Sequence, residues 1–528
     1  MANIYAESHI GISNYHKEIR VKNIKECVEE NSRINPDKEA FVFVSTNGGR
    51  QNLTWSVLYE RSCAAARSFI QLGVKRKEIV AINLRTCPEW LYATFGAMIA
   101  GTIPVSVSFT YTDGSDLVAL MQKLQRCSLL IMDPGLDNVN WNIVQKLLDE
   151  NSGNGAVHSS ILPHLKYLVG VDFEDCSALV KSFHDLLNGT NNDVSFPDIE
   201  TGDVAVMLQT SGSTGVPKLV AHTHASLVSL IGSDIIPLDK SYRLFSDRPF
   251  NWIGGIPFSV LSGQTRVTIS GFCAPPKNRI SFMKEVIEKE RCSLIVALPP
   301  LMAELARVQD ELPSDWPVVG IVTGGQPMTK ALTDSIGKAG KFLCCVYGTS
   351  ETMFLTQILI TEGGSFTEYA CGIPLKMKGI EMKIVDENGK TVPVNTRGEI
   401  NVRSPGMLKE YFNDPEKTKA VMTADGWYKT DDIGRMTEKG EFFVEGRKSN
   451  MIISGGMNVA PEILEQVMKT FPGVESAVLV PIRRLYQVVC ACVIKKLVVT
   501  SLRSCFKNIA KIFIQISPGF LPYYQSIT

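Results

Sequence analysis

Short apolar runs alternate with amphipathic segments along roughly the first two hundred residues of the chain. Apolar positions at helical spacing predict helices, and compact apolar runs predict strands. The predicted helices cover residues 54–72, 90–100 and 117–126, and the predicted strands cover 79–84, 102–107 and 128–132. Strands that alternate with helices are typical of a parallel sheet covered by helices. The pattern therefore predicts an α/β fold for this part of the chain.

The pattern changes in the second half of the chain. Further apolar runs predict strands at 204–208, 294–298, 318–322 and 342–346. From Ile380 onward, the turn Asn388-Gly389 predicts a hairpin, and 399–404 and 441–446 predict more antiparallel strands. We therefore expect a large N-terminal domain over 1–446, made of α/β subdomains plus a β-rich subdomain. A small, shortened α+β C-terminal domain is expected over 447–528.

Composition narrows the classes of protein to consider. The chain has 528 residues, of which 45% are hydrophobic and 20% charged, as in a globular protein with more than one domain. Its 54 basic and 54 acidic side chains give no net charge, which argues against a nucleic acid or an acidic membrane as partner. Small-molecule substrates are the expected partners, and the oligomeric state is left open.

Cysteine usage and the N-terminus bear on the compartment. The 13 cysteines lack the spacing of a zinc site, and an odd number within apolar runs favours reduced thiols inside a cell. The first residues have neither a secretory pattern nor the arginine-rich character of a transit peptide. No uncharged apolar run reaches about 18 residues, so no membrane-spanning segment is expected. These features favour an intracellular, cytoplasmic protein.

The segment QTSGSTGVPK, from Gln209 to Lys218, has the composition of a loop that binds phosphate. Glycines let the backbone approach an anion closely, hydroxyls add donors, and Lys218 adds a positive charge. Only two residues separate Gly212 from Gly215, and Leu219 follows the lysine, so this is not the Walker pattern. The alternative is a flexible surface loop, which the preceding buried strand and the lysine disfavour.

Three further segments carry candidate chemistry. In VYGTSET, after a predicted strand, Tyr347 offers an aromatic face, Thr349 a hydroxyl and Glu351 a carboxylate suited to Mg²⁺. In GWYKTDDIG, paired acids could accept the two hydroxyls of a ribose, and the alternative is a solvated acidic turn. In EGRKSN, Arg447 could hold a phosphate or ribose, and the alternative is a linker into a small domain. An ordinary strand-to-loop turn remains the alternative for the first segment.

The four segments occur in one order that resembles the adenylate-forming superfamily, the AMP-binding acyl-CoA synthetases and their relatives. The resemblance extends from about Ile24 to about Ala491, includes the segment Cys87–Ser108, and is greatest for the medium-chain acyl-CoA ligases. It implies a two-step reaction in which ATP converts a carboxylic acid into acyl-AMP, and coenzyme A then displaces AMP to form a thioester. A luciferase-like or peptide-synthetase-like adenylating enzyme is a third reading, although no carrier domain is evident.

The resemblance also implies roles for individual residues. The catalytic set would be Lys218, Thr349, Glu351 and Arg447, with Glu351 binding Mg²⁺. Asp432 would bind the ribose, and Asp431 stands where the family usually has glycine. Ser449 matches the hinge position between the two domains. The residues assigned to ATP binding are Thr210, Ser211, Gly212, Ser213, Thr214, Gly215, Val216, Pro217, Lys218, Gly324, Gly325, Gln326, Tyr347, Gly348, Thr349, Asp432 and Arg447.

Two regions depart from the family pattern. The acyl entrance of the family often has a histidine or an aromatic residue, and the equivalent stretch here, Phe250–Pro257, has Trp252. Trp252, Ile253, Gly254 and Gly255 are therefore the acyl-pocket candidates, with plain core packing as the alternative.

The second departure lies after about residue 494, where the family's pattern with a catalytic lysine is not found. An altered C-terminus would leave either an active ligase or a nucleotide- and acyl-AMP-binding protein with impaired chemistry. Family members in mitochondria make that organelle an alternative to the cytoplasm.

Overall fold

The computed structural model describes most of the chain up to residue 448 and short segments beyond it. The described residues are 5–108, 113–150, 152, 157–173, 179–190, 192–210, 217–235, 242–251, 255–271, 276–325, 328, 330–361, 364, 366–448, 452–454, 457–459, 461, 465, 468–469, 474–483 and 487–495.

The helices in these residues are mostly short and amphipathic. They are α1 (Ile24–Ile34), α2 (Trp55–Gln71), α3 (Pro88–Ile99), α4 (Ser115–Leu124), α5 (Val139–Gln145), α6 (Phe183–Asn188), α7 (His224–Val228), α8 (Ser259–Ser262), α9 (Arg279–Lys289), α10 (Pro299–Arg307), α11 (Lys330–Ser335) and α12 (Pro415–Val421).

Strands account for much of the rest of the described chain. In the first half they are β1 (His9–Ile12), β2 (Glu39–Val44), β3 (Arg50–Thr54), β4 (Ile79–Asn83), β5 (Ile103–Ser106), β6 (Cys127–Met132), β7 (Tyr167–Gly170), β8 (Val180–Ser182), β9 (Val204–Thr210), β10 (Lys218–Thr223), β11 (Arg243–Ser246) and β12 (Thr265–Ile269). In the second half they are β13 (Leu294–Val296), β14 (Gly320–Gly324), β15 (Phe342–Thr349), β16 (Met353–Thr361), β17 (Ala370–Pro374), β18 (Ile380–Val385), β19 (Gly398–Arg403), β20 (Glu410–Tyr411), β21 (Tyr428–Met436), β22 (Phe442–Arg447), β23 (Ile452–Ser454), β24 (Met457–Val459), β25 (Val474–Arg483) and β26 (Gln487–Lys495).

Two large sheets organise these strands. The eight-stranded sheet has the order β20-β10-β9-β5-β4-β6-β7-β8, with parallel pairing from β9 through β8 and antiparallel pairing at β9-β10 and β10-β20. The fourteen-stranded sheet has the order β1-β18-β19-β21-β22-β17-β16-β15-β14-β13-β11-β12-β2-β3. It is parallel from β15 through β2 and antiparallel on either side.

Helix α3 shows how the core is built around these sheets. Pro88 begins it, at a position where the missing N–H costs no hydrogen bond. All of its residues except Glu89 are buried, because α3 packs against α2 and against the interior strands β4 and β5. A helix that is apolar on all sides needs such complete cover.

The predicted α/β fold is confirmed, and so are the predicted elements of the first half. The hairpin at Asn388-Gly389 forms as expected, since Gly389 has a φ of 79° and Val385 bridges Thr391. Four later strands form with shifted bounds: β9 continues to Thr210, β13 ends at Val296, β14 is displaced by two residues to Gly320–Gly324, and β15 continues to Thr349. Eight cysteines in the described part of the chain form no disulfide, and the side chains of all eight are buried. Among the described residues, no helix is both long and apolar enough to cross a membrane.

The division between the two expected domains stays a prediction. The proposed boundary after residue 446 lies at the last residues of β22. Beyond it, β25 and β26 form an antiparallel pair, and the altered stretch after about residue 494 lies almost wholly outside the described residues.

Buried His224 gives the fold a predicted sensitivity to acid. Its side chain is 2% exposed, its Nδ1 accepts a hydrogen bond from the Ile24 backbone N–H at 3.3 Å, and burial lowers its pKa to about 4. Between about pH 6.5 and about pH 4, His224 is therefore protonated in the unfolded chain but neutral in the folded chain. As the pH is lowered through this window, the free energy of unfolding should fall by up to about 1.4 kcal/mol per pH unit.

Urea denaturation across that pH window tests this prediction in the wild type and in His224→Gln. The glutamine oxygen can accept the same hydrogen bond but does not titrate, so the variant should lose stability less steeply on acidification. Equal slopes in the two proteins would contradict the assignment.

Candidate active site

The predicted phosphate loop connects β9 and β10, which lie next to the edge strand β20 in the order β20-β10-β9. Strands β9 and β10 form a hairpin in which Thr210 and Lys218 are paired, so the two described ends of the loop lie side by side. Lys218 Nζ lies 5.5 Å from the centroid of the Tyr411 ring, and Lys123 of α4 donates to the Pro217 carbonyl at 3.4 Å. Ser211, Gly212, Ser213, Thr214, Gly215 and Val216 lie outside the described residues.

The turn between β15 and β16 faces this hairpin and carries the second predicted segment. Gly348 is required here, because a Cβ atom would overlap the carbonyl oxygen of Met353. Met353 itself has a φ of 56°, which is strained for a large side chain. The Thr349 hydroxyl accepts from the Glu351 backbone N–H at 3.2 Å and lies 3.2 Å from the Thr352 hydroxyl. The turn is thus held from within.

Glu351 is nearly buried and is held by a tyrosine. It is 9% exposed, and its Oε1 accepts from the Tyr411 hydroxyl at 2.8 Å. Tyr411, on the short strand β20, is also 3.3 Å from the Tyr428 hydroxyl. Tyr411 therefore connects the carboxylate predicted to bind Mg²⁺ with the lysine predicted to bind phosphate.

Asp432 forms a second buried carboxylate site with two partners. The Tyr347 hydroxyl donates to its Oδ2 at 2.7 Å, and Arg447 Nε lies 3.2 Å from its Oδ1. Asp432 and Arg447 are paired residues of β21 and β22. Burial raises the pKa of Asp432, while Arg447 and the Tyr347 hydroxyl hold it down. Burial opposes the charge of Arg447, yet Asp432 and Glu351 raise the pKa of its guanidinium. The structure thus brings together three residues predicted from separate motifs.

The glycines at the end of β14 border the same region. The pairing of Gly324 with Val346 places them beside β15, at the carboxyl ends of parallel strands where ligands of such sheets bind. Gly325 has a φ of 79°, which side chains rarely adopt. Gln326 lies outside the described residues.

A buried arginine contacts described residues on both sides of the expected acyl loop. Arg266 is 2% exposed, donates to the carbonyls of Gly255 and Arg248, and lies 4.7 Å from the centre of the Phe250 ring. Burial lowers the pKa of its guanidinium to about 9. Gly255 is buried, whereas Trp252, Ile253 and Gly254 lie outside the described residues, as does the hinge candidate Ser449.

An apolar cavity of about 40 Å³ lies next to this loop. Its walls include Trp90, Phe95, Leu208, Phe250 and Phe258. Apolar walls suit hydrocarbon and exclude charge.

The residues present fit a magnesium ion held mainly by a nucleotide. Mg²⁺ is usually bound by one or two carboxylates together with substrate phosphates. Glu351 supplies one such carboxylate, held by Tyr411, whose ring also lies near Lys218. No group of three or more His, Cys, Asp or Glu side chains that could hold a metal occurs in the described part of the chain. A dedicated protein cage for a metal is therefore not seen there.

Three site residues were not assigned from the sequence: Tyr411, Tyr428 and His222. Tyr428 lies within the segment GWYKTDDIG, in which only the paired acids were assigned a role. Both tyrosines lie in strands and stand next to another aromatic residue in the sequence, and no local pattern distinguishes them from core tyrosines. His222 follows Lys218 by four residues on β10, which places it on the same face of the strand. That spacing was the one signal in the sequence that could have identified it.

Asp431 has a left-handed backbone, with a φ of 65°, at the position where the resemblance of the sequence leads us to expect glycine. Replacing Asp431 with glycine should relieve the strain and raise the free energy of unfolding by about 0.5–1 kcal/mol. Asp431→Ala is the matched control, because it removes the carboxylate but keeps a Cβ, and it should be less stable than Asp431→Gly. Urea denaturation of both variants measures the difference. A glycine variant less stable than the wild type would contradict this reading.

Comparisons with known proteins agree with the geometry. A model of the family described as AMP-binding enzyme matches residues 28–412. The mitochondrial medium-chain acyl-CoA ligase ACSF2 of Rattus norvegicus is 26% identical over 495 residues, covering 89% of this chain and 79% of the relative. The 4-coumarate–CoA ligase CCL1 of Humulus lupulus is 25% identical over 500 residues, covering 92% of this chain and 84% of the relative.

Solved structures show the same fold. O-succinylbenzoate coenzyme A synthetase (MenE) from Bacillus subtilis, in complex with AMP, matches with a TM-score of 0.73 at 21% identity, covering 93% of this chain and 91% of that chain. ATP-bound MatB from Rhodopseudomonas palustris matches with a TM-score of 0.73 at 20% identity, covering 91% of this chain and 90% of that chain. The expectation drawn from the ordered motifs is confirmed: the chain belongs to the AMP-binding enzyme family, whose members form adenylates.

Proposed function

We propose that the protein uses ATP to activate a carboxylic acid as acyl-AMP and transfers the acyl group to coenzyme A. The observation that carries the proposal is a pair of contact clusters that interact electrostatically through Arg447 and Glu351. In the first, the Tyr411 ring lies near Lys218 and its hydroxyl donates to Glu351. In the second, Tyr347 and Arg447 both contact Asp432. These groups come from both large sheets and combine cationic, carboxylate and aromatic contacts for a nucleotide.

In the first step an oxygen of the substrate carboxylate attacks the α-phosphorus of ATP, and pyrophosphate leaves. Asp432 would accept the ribose hydroxyls, and the Tyr347 ring would lie against adenine. Thr349 would contact the α-phosphate, and the hydroxyls and amides of the loop from Thr210 to Lys218 would bind the β- and γ-phosphates. Holding the two reactants in place removes much of the entropic barrier, and fixed donors stabilise the charge that develops.

Bound Mg²⁺ would neutralise negative charge on the phosphates and help pyrophosphate to leave. Glu351 is the residue proposed to hold the ion, because a hydrogen bond from the Tyr411 hydroxyl fixes that carboxylate. Lys218 and Arg447 would add positive charge on the two sides of the nucleotide.

In the second step the thiol of coenzyme A attacks the acyl carbon, and the bond from that carbon to the AMP oxygen breaks. The proposed substrate is a fatty or similar apolar acid, bound near Trp252, Ile253, Gly254 and Gly255. The apolar cavity beside Phe250 supports this class, and so does the description of several relatives as medium-chain acyl-CoA ligases. The alternative of an impaired nucleotide-binding protein is not favoured by the family match.

An intracellular location is proposed as well, since ATP and coenzyme A are available there. The choice between cytoplasm and mitochondrion stays open, although the names of the medium-chain relatives include the mitochondrion. The buried free cysteines fit a reducing compartment.

The proposed function predicts ATP–pyrophosphate exchange that depends on an added carboxylic acid. Exchange should be measured with a panel of acids from short to long chains, followed by thioester formation with coenzyme A. Glu351→Gln should lower the exchange rate about 100-fold, because it removes charge at the phosphates. Glu387→Gln, in an exposed turn, is the control and should behave as wild type.

Absence of exchange with every acid would overturn the proposed first step. A protein that fails in exchange yet forms thioester from preformed acyl-AMP would instead limit its activity to the second step. A chain carrying a family-like C-terminus, assayed in parallel, shows whether the stretch after residue 494 accounts for any such loss.

Tyr347→Phe tests the proposed ribose site through its pH dependence. The variant keeps the aromatic ring but removes the hydroxyl that helps to lower the pKa of buried Asp432. The carboxyl group should therefore protonate at a higher pH, and kcat/KM for ATP should fall away at a higher pH than in wild type. At neutral pH the KM for ATP should rise about 10-fold.

Tyr167→Phe is the control and should keep the wild-type pH profile, because Tyr167 lies on β7, at the opposite side of the eight-stranded sheet from β20. If Tyr347→Phe left the acidic limb of the pH profile where it is in wild type, Asp432 would not be the ribose carboxylate.

A further inference from the structure

A fully buried histidine, His222, connects the phosphate hairpin with the turn that carries Glu351. Its Nε2 lies 2.6 Å from the carbonyl oxygen of Ser350, 128 residues away in sequence. The side chain has no exposed surface. Neither the sequence motifs nor the proposed chemistry uses this residue.

Hydrogen-bond chemistry fixes the form of the ring. A carbonyl oxygen can only accept, so Nε2 must carry the proton. Burial lowers the pKa of His222 to about 4, so the ring is neutral and its Nδ1 is an acceptor. Ser226 Oγ lies 3.4 Å from that nitrogen. His222 therefore has one tautomer, which directs its only N–H at the Ser350 carbonyl.

This contact holds the peptide plane that precedes Glu351. The carbonyl of that peptide accepts from His222, and its N–H donates to the Thr349 hydroxyl at 3.2 Å. On the other side of Glu351, its carbonyl accepts from the Leu408 N–H at 2.6 Å and the Thr352 N–H donates to the Thr349 carbonyl at 3.2 Å. Both peptides flanking Glu351 are thus fixed, and the side-chain direction follows from them.

The position of His222 on β10 makes the contact a link between sites. Side chains at alternate positions share a face of a strand, so Lys218, Val220 and His222 point the same way. Val220 pairs with Tyr411 of β20, which holds the Glu351 carboxylate from that face. One strand therefore carries the lysine at the phosphate loop and the histidine that fixes the Glu351 peptide.

We propose that His222 is a positioning residue that, by holding the Ser350–Glu351 peptide, sets the Glu351 carboxylate in place for the magnesium of bound ATP. The proposal rests on the proposed function, in which Glu351 serves that metal. Partners that orient a metal ligand commonly change metal affinity by about 10-fold to 100-fold when they are lost. The strained Met353 two residues further on makes the turn more dependent on such outside support.

The test compares His222→Leu with His222→Gln in the full chain. Leucine fills the space but has no donor, whereas the glutamine Nε2 can donate to the Ser350 carbonyl. Titration calorimetry with Mn²⁺, in the presence of a non-hydrolysable ATP analogue, measures metal affinity without turnover. His222→Leu should weaken Mn²⁺ binding by about 10-fold or more, and His222→Gln should recover most of that loss.

His224→Gln is the matched control, because it changes the other buried histidine of the same segment, which contacts Ile24 instead. It should bind Mn²⁺ as wild type does. Affinity for the nucleotide without metal should be alike in all variants, which separates positioning of Glu351 from general damage to the fold.

Wild-type Mn²⁺ affinity in His222→Leu, or a glutamine variant no better than leucine, would overturn the proposal. So would a wild type whose nucleotide complex binds no Mn²⁺. Failure of the proposed function gives a different result: wild type would lack acid-dependent exchange while the binding differences among the variants persist.

Discussion

Two buried carboxyl groups, Glu351 and Asp432, lie close enough to interact electrostatically, and this constraint determines much of the site. A buried carboxylate is costly unless hydrogen bonds and positive charge replace its lost water. Glu351 adds to the cost of charge at Asp432, since it contributes to the raised pKa of that carboxyl group. The phenol hydroxyls of Tyr411 and Tyr347 and the guanidinium of Arg447 supply the compensation.

The fold has to bring these partners from distant parts of the chain. Tyr411 comes from the edge strand of the eight-stranded sheet, and Arg447 and Tyr347 come from the antiparallel and parallel parts of the fourteen-stranded sheet. The side chains that these strands bring together have charges that match a polyphosphate and its ribose. Packed strands support these side chains, while the phosphate loop leaves from the β9–β10 hairpin.

The sequence motifs predicted several site residues but not the contacts between them. The order of the four segments led to Tyr347, Asp432 and Arg447 separately, and the structure joins them through hydrogen bonds across 85 residues of sequence in one case. Tyr411 and His222 could not be recognised, because their roles depend on pairing of β10 with β20 and on a contact to a turn 128 residues away. Local sequence patterns gave correct predictions where the structure depends only on the backbone preferences of neighbouring residues, as at the Asn388-Gly389 hairpin. At Asp431 the departure from glycine was visible in the sequence, and the positive φ shows its physical consequence.

A crystal structure with a non-reactive acyl-AMP analogue tests the central claim most directly, because it shows which side chains contact each part of the nucleotide. We expect the ribose hydroxyls to donate to the Asp432 carboxylate and the Tyr347 ring to lie against adenine. Thr349 should contact the phosphate, and the acyl chain should extend towards Phe250. A nucleotide bound elsewhere, or a ribose that contacts other side chains while Asp432 keeps only Tyr347 and Arg447, would contradict it.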